Sequence, residues 1–468
     1  MRNEIRYLRM SLHLPGGGKR GIGYLSQYGD ILRASFDADY IADPERPTLT
    51  LALRGATEAD TQAILGAARD VRLSRSDGHW PSYFQNLLPE GHNRDRLARE
   101  RRCSPDNEFE LLAAAGHDLM GAIEVEPVPL REGIPDTVRH WHTALGLDVL
   151  EPGFVESPVE DAAALPGVVT KFSAVQDGRR YVVKRHGAAG SFILKLPSTR
   201  HPDLVANEAA GYQLCAALGL DCAEAQVISR ADADLPEQLP FDALLVVKRF
   251  DRQIVPATVD GATQFSAGPP QGKLAPSGGR AVHEVTNVGA RIHMEEFAQV
   301  LQYEPNRKYG RGLMTDYPNM LRVLDRLSSR PAQDVQEFVK RFVAFILMGN
   351  VDAHLKNWAL IYPDGITPQL APLYDPVCVT ALFESVPPTD YAINRAIDNT
   401  LRAFDIYQLE ALLKAAGLQR VSRLVSIAKQ TVKLAQADWP GVLRDAPPSV
   451  SRAVEERLAG GVALAGQR

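Results

Sequence analysis

Cysteine is scarce in this sequence, and its few cysteines are not arranged as a motif. Among 468 residues there are four, at positions 103, 215, 222 and 378, and no two of them form a C-x-x-C pair. This spacing argues against a zinc ribbon and against a dithiol redox motif. So few cysteines in a chain of this length are typical of the reducing cytosol, and we expect a cytoplasmic protein.

Long hydrophobic runs are also missing. The longest apolar run near a helix, FVAFILMG, is far shorter than the ~20 residues that a membrane-spanning helix needs. The first residues, MRNEIRYLRMSLHLPGGGKRG, lack the apolar segment of a signal peptide. We therefore expect no association with a membrane.

The sequence has no excess of positive charge. It contains 52 Lys and Arg against 57 Asp and Glu, which gives a net charge of -5 and a pI of about 6.2. Domains that bind nucleic acid through their overall charge are usually basic. Any contact with DNA would therefore need a local patch or a partner protein.

Three features resemble functional motifs without matching them. The stretch LPGGGKRG lacks the residue order of a phosphate-binding loop, and we predict a simple turn at residues 16–18. The basic stretch RDRLARERR could meet nucleic acid, but its pattern favours the solvated face of a helix. The histidines form no H-x-x-x-H pair, so a zinc hydrolase has little support.

The chain divides into a first half with strand patterns and a second half with helix patterns. Runs such as IGYLSQY, TLTLALRG and FDALLVVKRF predict strands, and runs such as DVQEFVKRFVAFILMG predict helices. Residues 253–290 are rich in Gly, Pro and Ala and predict a mobile loop or insertion. The order predicts an α+β protein with two lobes and a cleft between them.

The stretch GNVDAHLKNW, residues 349–358, concentrates polar side chains at the end of a predicted buried helix. Gly349 is expected to end that helix, so Asp352 follows a firmly anchored element. Asn357 comes five residues later, and two short strands around a turn then lead to Asp375.

This order suits phosphoryl transfer. The reaction needs a carboxylate that orients a hydroxyl and accepts its proton, and it needs an amide and a second carboxylate that hold Mg²⁺ on the phosphates. Asp352, Asn357 and Asp375 have the order of those groups in kinases. Loop side chains that merely cap helix and strand ends are the alternative interpretation of the same residues.

A kinase also needs a strand lysine that is braced by a helix glutamate. Lys195 lies within the apolar run FILKLP, and Glu208 follows in a predicted helix. A preceding hairpin around residues 177–178 could cover the phosphates, and the backbone near Lys248 and Phe250 could meet an adenine. Alternatively, Lys195 extends to solvent from an edge strand.

At this point the sequence resembles the HipA family of bacterial serine/threonine kinases, the toxins of HipBA-type toxin–antitoxin pairs. The resemblance spans nearly the whole chain. It is carried by the segments SQYGDILRASFDADYI, YFQNLLPEGHNRDRLA, LLAAAGHDLMGAIEV, KFSAVQDG, FILKLPSTRHPDLVANE, VVKRFDR, RIHMEEFAQVL, GNVDAHLKNWAL and LAPLYDPV.

The resemblance implies a role for each matching residue. Asp352 would be the catalytic base, and Asn357 and Asp375 would hold Mg²⁺. Lys195 would contact the ATP phosphates with Glu208 as its partner. The remaining residues implied at the nucleotide or in support of the loop are Lys171, Lys248, Phe250, Asp251, His354 and Lys356.

The resemblance also implies an architecture and partners. Residues 1–130 would form a β-rich N-terminal subdomain, residues 131–252 the rest of the N-lobe, and residues 253–468 a helical C-lobe. The implied substrate is a translation-related protein such as a tRNA synthetase. The implied partner is a small HipB-like helix-turn-helix antitoxin, through which DNA would be contacted indirectly.

The phosphate loop departs from the family pattern. The family often has SGVQPK there, and some members phosphorylate a serine just before the glycine. This chain has ALPGVVTKFS, with residues 164–166 in place of the serine region and Ser173 further on. We therefore do not expect that form of regulation.

Two other functions use the same residues. One is a kinase for a lipid or small molecule, which labelled ATP would distinguish by where the label goes. The other is a pseudokinase that acts by binding, which an Asp352→Asn variant with full growth inhibition would favour.

Overall fold

The computed structural model describes residues 4–139, 150–159, 162–165, 171–177, 180–183, 190–197, 202–233, 235, 239–254, 288–383 and 392–466. Within these ranges, no helix is long and apolar enough to cross a membrane.

The N-terminal unit is a twisted antiparallel sheet with helices on one side. Its strand order is β4-β3-β2-β1-β5, and β6 pairs with β1 in parallel. The strands are β1 Glu4–His13, β2 Lys19–Tyr28, β3 Ile31–Phe36, β4 Ser74–Arg75, β5 Ile123–Pro127 and β6 Glu151–Pro152. The helices are α1 Ala38–Ala42, α2 Glu58–Leu65, α3 Ser82–Gln85, α4 Gly91–Arg101 and α5 Glu108–Ala115.

Turn chemistry and apolar packing explain this unit. The glycines of LPGGGKRG form the tight turn between β1 and β2, as predicted, with Gly17 and Gly18 at positive φ. Large side chains fill the space between sheet and helices, and Trp80 stacks on Phe109 with ring centroids 6.0 Å apart.

The strand prediction for TLTLALRG was wrong. Leu51–Leu53 form a 3₁₀ turn, and the Thr50 side chain accepts a hydrogen bond from the Ala52 N–H. The Thr50 hydroxyl also donates to Glu295 over 2.6 Å. The alternating pattern does not indicate a strand here, because Thr50 and Leu51 contact Glu295 of the C-terminal half and residues 49–53 are all buried.

The second sheet has the order β10-β11-β9-β7-β8, and every neighbouring pair is antiparallel. Its strands are β7 Lys171–Asp177, β8 Arg180–Val183, β9 Phe192–Lys195, β10 Ala225–Ser229 and β11 Ala243–Lys248. Helix α6, Leu204–Ala217, packs against β10 and β11 and is followed by Gly219 at a φ of +65°. The hairpin β7–β8 is confirmed, while its tip at residues 178–179 lies outside the described residues.

The C-terminal half is a helical lobe that carries a three-stranded sheet, formed by β14 His293–Glu296, β15 Ala359–Tyr362 and β16 Gln369–Leu370. A separate two-stranded sheet pairs β12 Arg252–Ile254 with β13 Val288–Arg291. The helices are α7 Phe297–Val300, α8 Leu313–Leu327, α9 Pro331–Met348, α10 Ala392–Ala403, α11 Ile406–Ala415, α12 Val421–Leu443 and α13 Pro448–Glu456. Most of the predicted insertion, residues 255–287, lies outside the described residues.

Two helix predictions in this lobe had different outcomes. In MEEFAQVLQ the first residues form β14, because they pair with β15, and only Phe297–Val300 are helical. The prediction for α9 is confirmed. Its expected apolar face is buried, and Gly349 ends the helix at a φ of +72°.

Candidate active site

Lys195 lies at the end of β9, between β11 and β7, and its ammonium is buried. Its Nζ is 2.5 Å from the carboxylate of Glu208 and also forms an ion pair with Asp375. Burial alone would lower the pKa of Lys195, but the carboxylates of Asp375 and Glu208 raise it above its ordinary value. The lysine is therefore charged at neutral pH, and it does not extend to solvent from an edge strand.

Asp375 faces the cleft with 27% of its side chain exposed, whereas only 6% of the Glu208 side chain is exposed. Burial raises the pKa of both carboxyls. For Glu208 this effect is larger than the opposing effect of the Lys195 charge, so the pKa of Glu208 lies above its ordinary value. For Asp375, the charges of Lys195 and Lys171 overcome burial and hold the pKa well below its ordinary value. The Lys195–Glu208–Asp375 group thus offers the cleft a carboxylate that is ionised at neutral pH.

Helix α6 is fitted closely to the segment that follows Asp375. The Asn207 side chain accepts a hydrogen bond from the Cys378 N–H over 2.8 Å and donates to its carbonyl over 3.1 Å. A Cβ on Gly211 would lie 1.6 Å from the carbonyl oxygen of Pro376. The sequence analysis did not identify these two positions, although Asn207 and Gly211 lie within three residues of Glu208.

Asp352 and Asn357 lie on the loop after α9, and side chains of this loop form hydrogen bonds with its own backbone. The Asn357 amide nitrogen donates to the Asp352 carbonyl over 2.8 Å, and the Asn350 side chain accepts from the Asp352 N–H over 3.3 Å. The Tyr309 hydroxyl donates to Oδ1 of Asp352. These contacts fix both the backbone and the carboxylate of Asp352.

Asn350 joins the loop to Asp375. Its amide nitrogen lies 3.5 Å from the Asp375 carbonyl, and the Tyr212 hydroxyl lies 3.4 Å from the Asp375 N–H. Asp375 has a φ of +61°, in the left-handed region that few non-glycine residues adopt. Backbone strain of this kind is concentrated at functional sites, where the surrounding contacts maintain it.

Lys171 lies directly opposite Lys195 in the register of β7 and β9. Burial lowers the pKa of Lys171, and the nearby positive charge of Lys195 lowers it further. The negative charge of Asp375 raises the pKa of Lys171 and so offsets part of this shift. Two cations therefore meet at one end of the sheet, next to an ionised aspartate.

His354 is packed beside the catalytic-loop carboxylate. Its ring meets Tyr309 edge to face with centroids 5.5 Å apart. Burial lowers the pKa of His354 to about 4, although Asp352 raises it. The imidazole is neutral at physiological pH, and it supports the loop by packing against Tyr309.

Lys356 extends from the loop to Glu90 of the N-terminal unit. Its Nζ lies 2.6 Å from Glu90 and 3.4 Å from Glu296, and 3.2 Å from the side-chain oxygen of Asn86. Its carbonyl accepts a hydrogen bond from the Tyr374 hydroxyl over 2.8 Å. Lys356 thus connects the catalytic loop to the N-terminal unit, which was not foreseen from the sequence.

Lys248 and Phe250, predicted near an adenine, and Asp251, implied beside them, lie in different surroundings. Lys248 pairs with Glu224 at the surface over 2.8 Å, and the Phe250 ring packs on Tyr374 with centroids 5.7 Å apart. Asp251 is buried and accepts hydrogen bonds from Arg249, Arg252 and the Gly121 N–H. Its carboxylate is therefore occupied by a structural network.

That network includes Asp118 of the N-terminal unit. Asp118 pairs with Arg249 over 2.8 Å and with Arg252 over 3.2 Å. It also accepts a hydrogen bond from the Ser173 hydroxyl over 2.7 Å. Of the divergent phosphate loop, residues 164 and 165 are buried and residues 166–170 lie outside the described residues.

Comparison with known proteins gives the family. The HipA-like C-terminal domain matches residues 163–439, and the HipA N-terminal domain matches residues 17–126. This chain belongs to the HipA family. Among relatives of this HipA-family kinase is Y4dM of Sinorhizobium fredii, which is named as a kinase; the two are 31% identical over 88% of this chain and 87% of Y4dM.

A second relative carries the family name. The serine/threonine-protein kinase toxin HipA of Shewanella oneidensis is 26% identical over 74% of each chain. A solved structure shows HipA from that organism in a complex with HipB and operator DNA. The structural match includes 97% of this HipA-family kinase and 96% of the solved HipA chain. With a TM-score of 0.63 at 20% identity, it confirms the predicted two-lobed, kinase-like α+β fold.

Proposed function

We propose that this HipA-family protein is an ATP- and Mg²⁺-dependent protein serine/threonine kinase that acts as the toxin of a type II toxin–antitoxin module. One observation carries the proposal. The ammonium of Lys195 joins the helix carboxylate of Glu208 to the cleft carboxylate of Asp375. A lysine braced in this way is what nucleotide phosphates require, and Asp352 and Asn357 lie on the loop attached to Asp375.

The residues have separate tasks in the transfer. Asp352, oriented by the Tyr309 hydroxyl, accepts the proton of the acceptor hydroxyl. The hydroxyl oxygen bonds to the γ-phosphorus while the bond from that phosphorus to the bridging oxygen of ADP breaks. Lys195 and Lys171 offset the negative charge of the phosphates, and their positions are fixed before the substrate arrives.

Asn357 and Asp375 are suited to hold Mg²⁺. The amide nitrogen of Asn357 already donates to the Asp352 carbonyl, which leaves its side-chain oxygen for a cation. Amide and carboxylate oxygens are the ligands that Mg²⁺ prefers, and the ion keeps water and phosphate oxygens as its other ligands. When bound, Mg²⁺ neutralises phosphate charge. The described residues contain no cluster of three His, Cys, Asp or Glu that could hold a metal by themselves.

The toxin role and the partners extend the family relationship. The relative from Shewanella oneidensis is named a kinase toxin, and its solved complex contains HipB and operator DNA. We propose a small HipB-like helix-turn-helix antitoxin for this chain, with DNA contacted through that partner. The proposed acceptor is a translation-related protein such as a tRNA synthetase, and its phosphorylation would arrest growth.

The test is transfer of labelled phosphate from ATP to proteins of a cell lysate. Purified protein is incubated with Mg²⁺ beside Asp352→Asn, and beside Asp325→Asn as a matched control on the exposed face of α8. We expect the Asp352 variant to lose at least about 100-fold in rate, since it lacks the proton acceptor, and the Asp325 variant to match wild type.

Two outcomes would contradict the proposal. If wild type transfers no more labelled phosphate than the Asp352 variant, the protein is not a kinase under these conditions. If the label appears in the lipid or small-molecule fraction, the acceptor is not a protein. The toxin role is tested separately by expression in cells, where wild type should arrest growth and Asp352→Asn should not.

A further inference from the structure

A cationic loop, residues 305–312, lies against the catalytic loop. The Lys308 carbonyl accepts a hydrogen bond from the Leu355 N–H over 2.9 Å. Its neighbour Tyr309 donates the hydrogen bond to the Asp352 carboxylate. The cationic loop therefore borders Asp352, beside which the acceptor hydroxyl must bind.

The backbone of the cationic loop is held in one conformation. Asp316 is buried, and its carboxylate accepts hydrogen bonds from the Arg311 N–H over 2.6 Å and from the Gly312 N–H over 3.0 Å. The Tyr303 hydroxyl donates to the same carboxylate over 2.7 Å. A Cβ on Gly310 would lie 2.2 Å from an Asp316 oxygen, so this loop requires glycine there.

The side chains of this fixed loop carry three positive charges. Arg307 and Arg311 are exposed, and Lys308 is half-buried, with its Nζ 5.6 Å from the Tyr309 ring centroid. In the part of the chain that the structure describes, none of the three forms an ion pair, whereas Glu304, just before the loop, is paired with Arg75. The loop is thus strongly positive in a chain with a net charge of -5.

We propose that the cationic loop recognises the acceptor protein and selects acidic side chains next to the hydroxyl that is phosphorylated. This inference rests on the proposed kinase function and names its substrate class. A rigid, positive surface beside the catalytic carboxylate attracts segments of opposite charge and disfavours basic ones. The nucleotide phosphates are served by Lys195 and Lys171 on the other lobe, so the charges of this loop are available to the acceptor.

The experiment measures transfer to serine and threonine peptides that differ only in the residues flanking the hydroxyl. Each peptide carries Asp and Glu, Ala, or Lys at those positions. The proteins are wild type, Arg307→Gln/Arg311→Gln, and Arg423→Gln/Lys429→Gln, which removes the same charge from the exposed face of α12.

Wild type should use the acidic peptides with a kcat/KM about tenfold above the alanine peptides, and high salt should reduce this ratio. The ratio should fall below about twofold in Arg307→Gln/Arg311→Gln and stay at the wild-type value in the α12 variant. A further variant, Arg307→Glu/Arg311→Glu, reverses the charge at these two positions and should instead favour the lysine peptides. The KM for ATP should remain within about twofold in all of them, because the N-lobe lysines are unchanged.

Equal use of acidic and alanine peptides, or an acidic preference that survives in Arg307→Gln/Arg311→Gln, would overturn the proposal. Labelling of lysate proteins without labelling of any acidic peptide would overturn it as well, while the kinase function would stand. If neither peptides nor lysate proteins are labelled, the kinase function itself fails, so the two failures are distinguishable.

Discussion

Two buried lysines of this protein each have two carboxylate partners but lie in different surroundings. Lys195 lies between Glu208 and Asp375, and Lys356 lies between Glu90 and Glu296. In both, burial lowers the pKa, and two carboxylates more than compensate for it.

The two groups differ in what their carboxylates face. Asp375 has 27% of its side chain exposed, whereas Glu90 has 19% and Glu296 has none, and burial raises the pKa of Glu296 to about 7 even beside Lys356. The Lys195 group reaches solvent through Asp375, whereas the Lys356 group joins its loop to Glu90 of the N-terminal unit. The same arrangement of a lysine and two carboxylates therefore does not by itself indicate a binding site, because its role depends on what the carboxylates contact.

The largest expected effect is on catalysis. Lys195→Met should lower the transfer rate at least about 1000-fold, because the phosphates lose a preorganised cation. Lys356→Met should lower it only about 10- to 100-fold, because that lysine positions the loop through its ion pairs with Glu90 and Glu296. Initial rates with labelled ATP, at a temperature where both variants are folded, give the ratio. Equal losses would remove the distinction between the two lysines.

The next effect is on stability. Lys356→Met should lower the free energy of unfolding by about 3–5 kcal/mol, because it leaves Glu296 buried without its cation. Lys195→Met should cost less, since Asp375 can be hydrated from the cleft. Urea unfolding of the two variants measures both values. A smaller loss for Lys356→Met than for Lys195→Met would contradict the assignment of a structural role.

The smallest effect concerns Glu295, a buried carboxyl next to Glu296 that has no lysine. Burial raises the pKa of Glu295 to about 7, and hydrogen bonds from Thr50 and Tyr362 counteract this. The folded protein therefore binds more protons than the unfolded chain from about pH 4.5 to 7, and this group's contribution to stability falls as the pH rises through that window.

Glu295→Gln cannot titrate. As the pH rises from 5 to 8, wild type should lose roughly 2 kcal/mol of unfolding free energy that the variant does not lose. The difference between the two proteins is measured by urea unfolding at each pH. Glu455→Gln, at an exposed position, should show no such change. A difference that is constant with pH would indicate that Glu295 is ionised throughout.

The sequence predicted those features that depend on local patterns. The end of α9 at Gly349, the hairpin before Asp375 and the strand position of Lys195 follow from periodicity and turn residues, and all three are present. The pairing of Lys195 with Glu208 was predicted from their order along the chain, and the structure brings the two together.

The features that sequence could not provide depend on distant partners. Lys356 belongs to the same short motif as Asp352, but its role is set by Glu90, far away in the N-terminal unit. Asp251 was implied at the nucleotide or in support of the loop by the family resemblance, and its two arginines and the Gly121 N–H became visible only in the fold. No local pattern distinguishes a carboxylate that faces a cleft from one that is enclosed.

The N-terminal unit is attached to both lobes at once. Asp118 binds Arg249 and Arg252 at the hinge, whereas Glu90 binds Lys356 beneath the catalytic loop. Because the two attachments lie on different lobes, a change in the distance between the lobes would have to stretch or break one of these ion pairs.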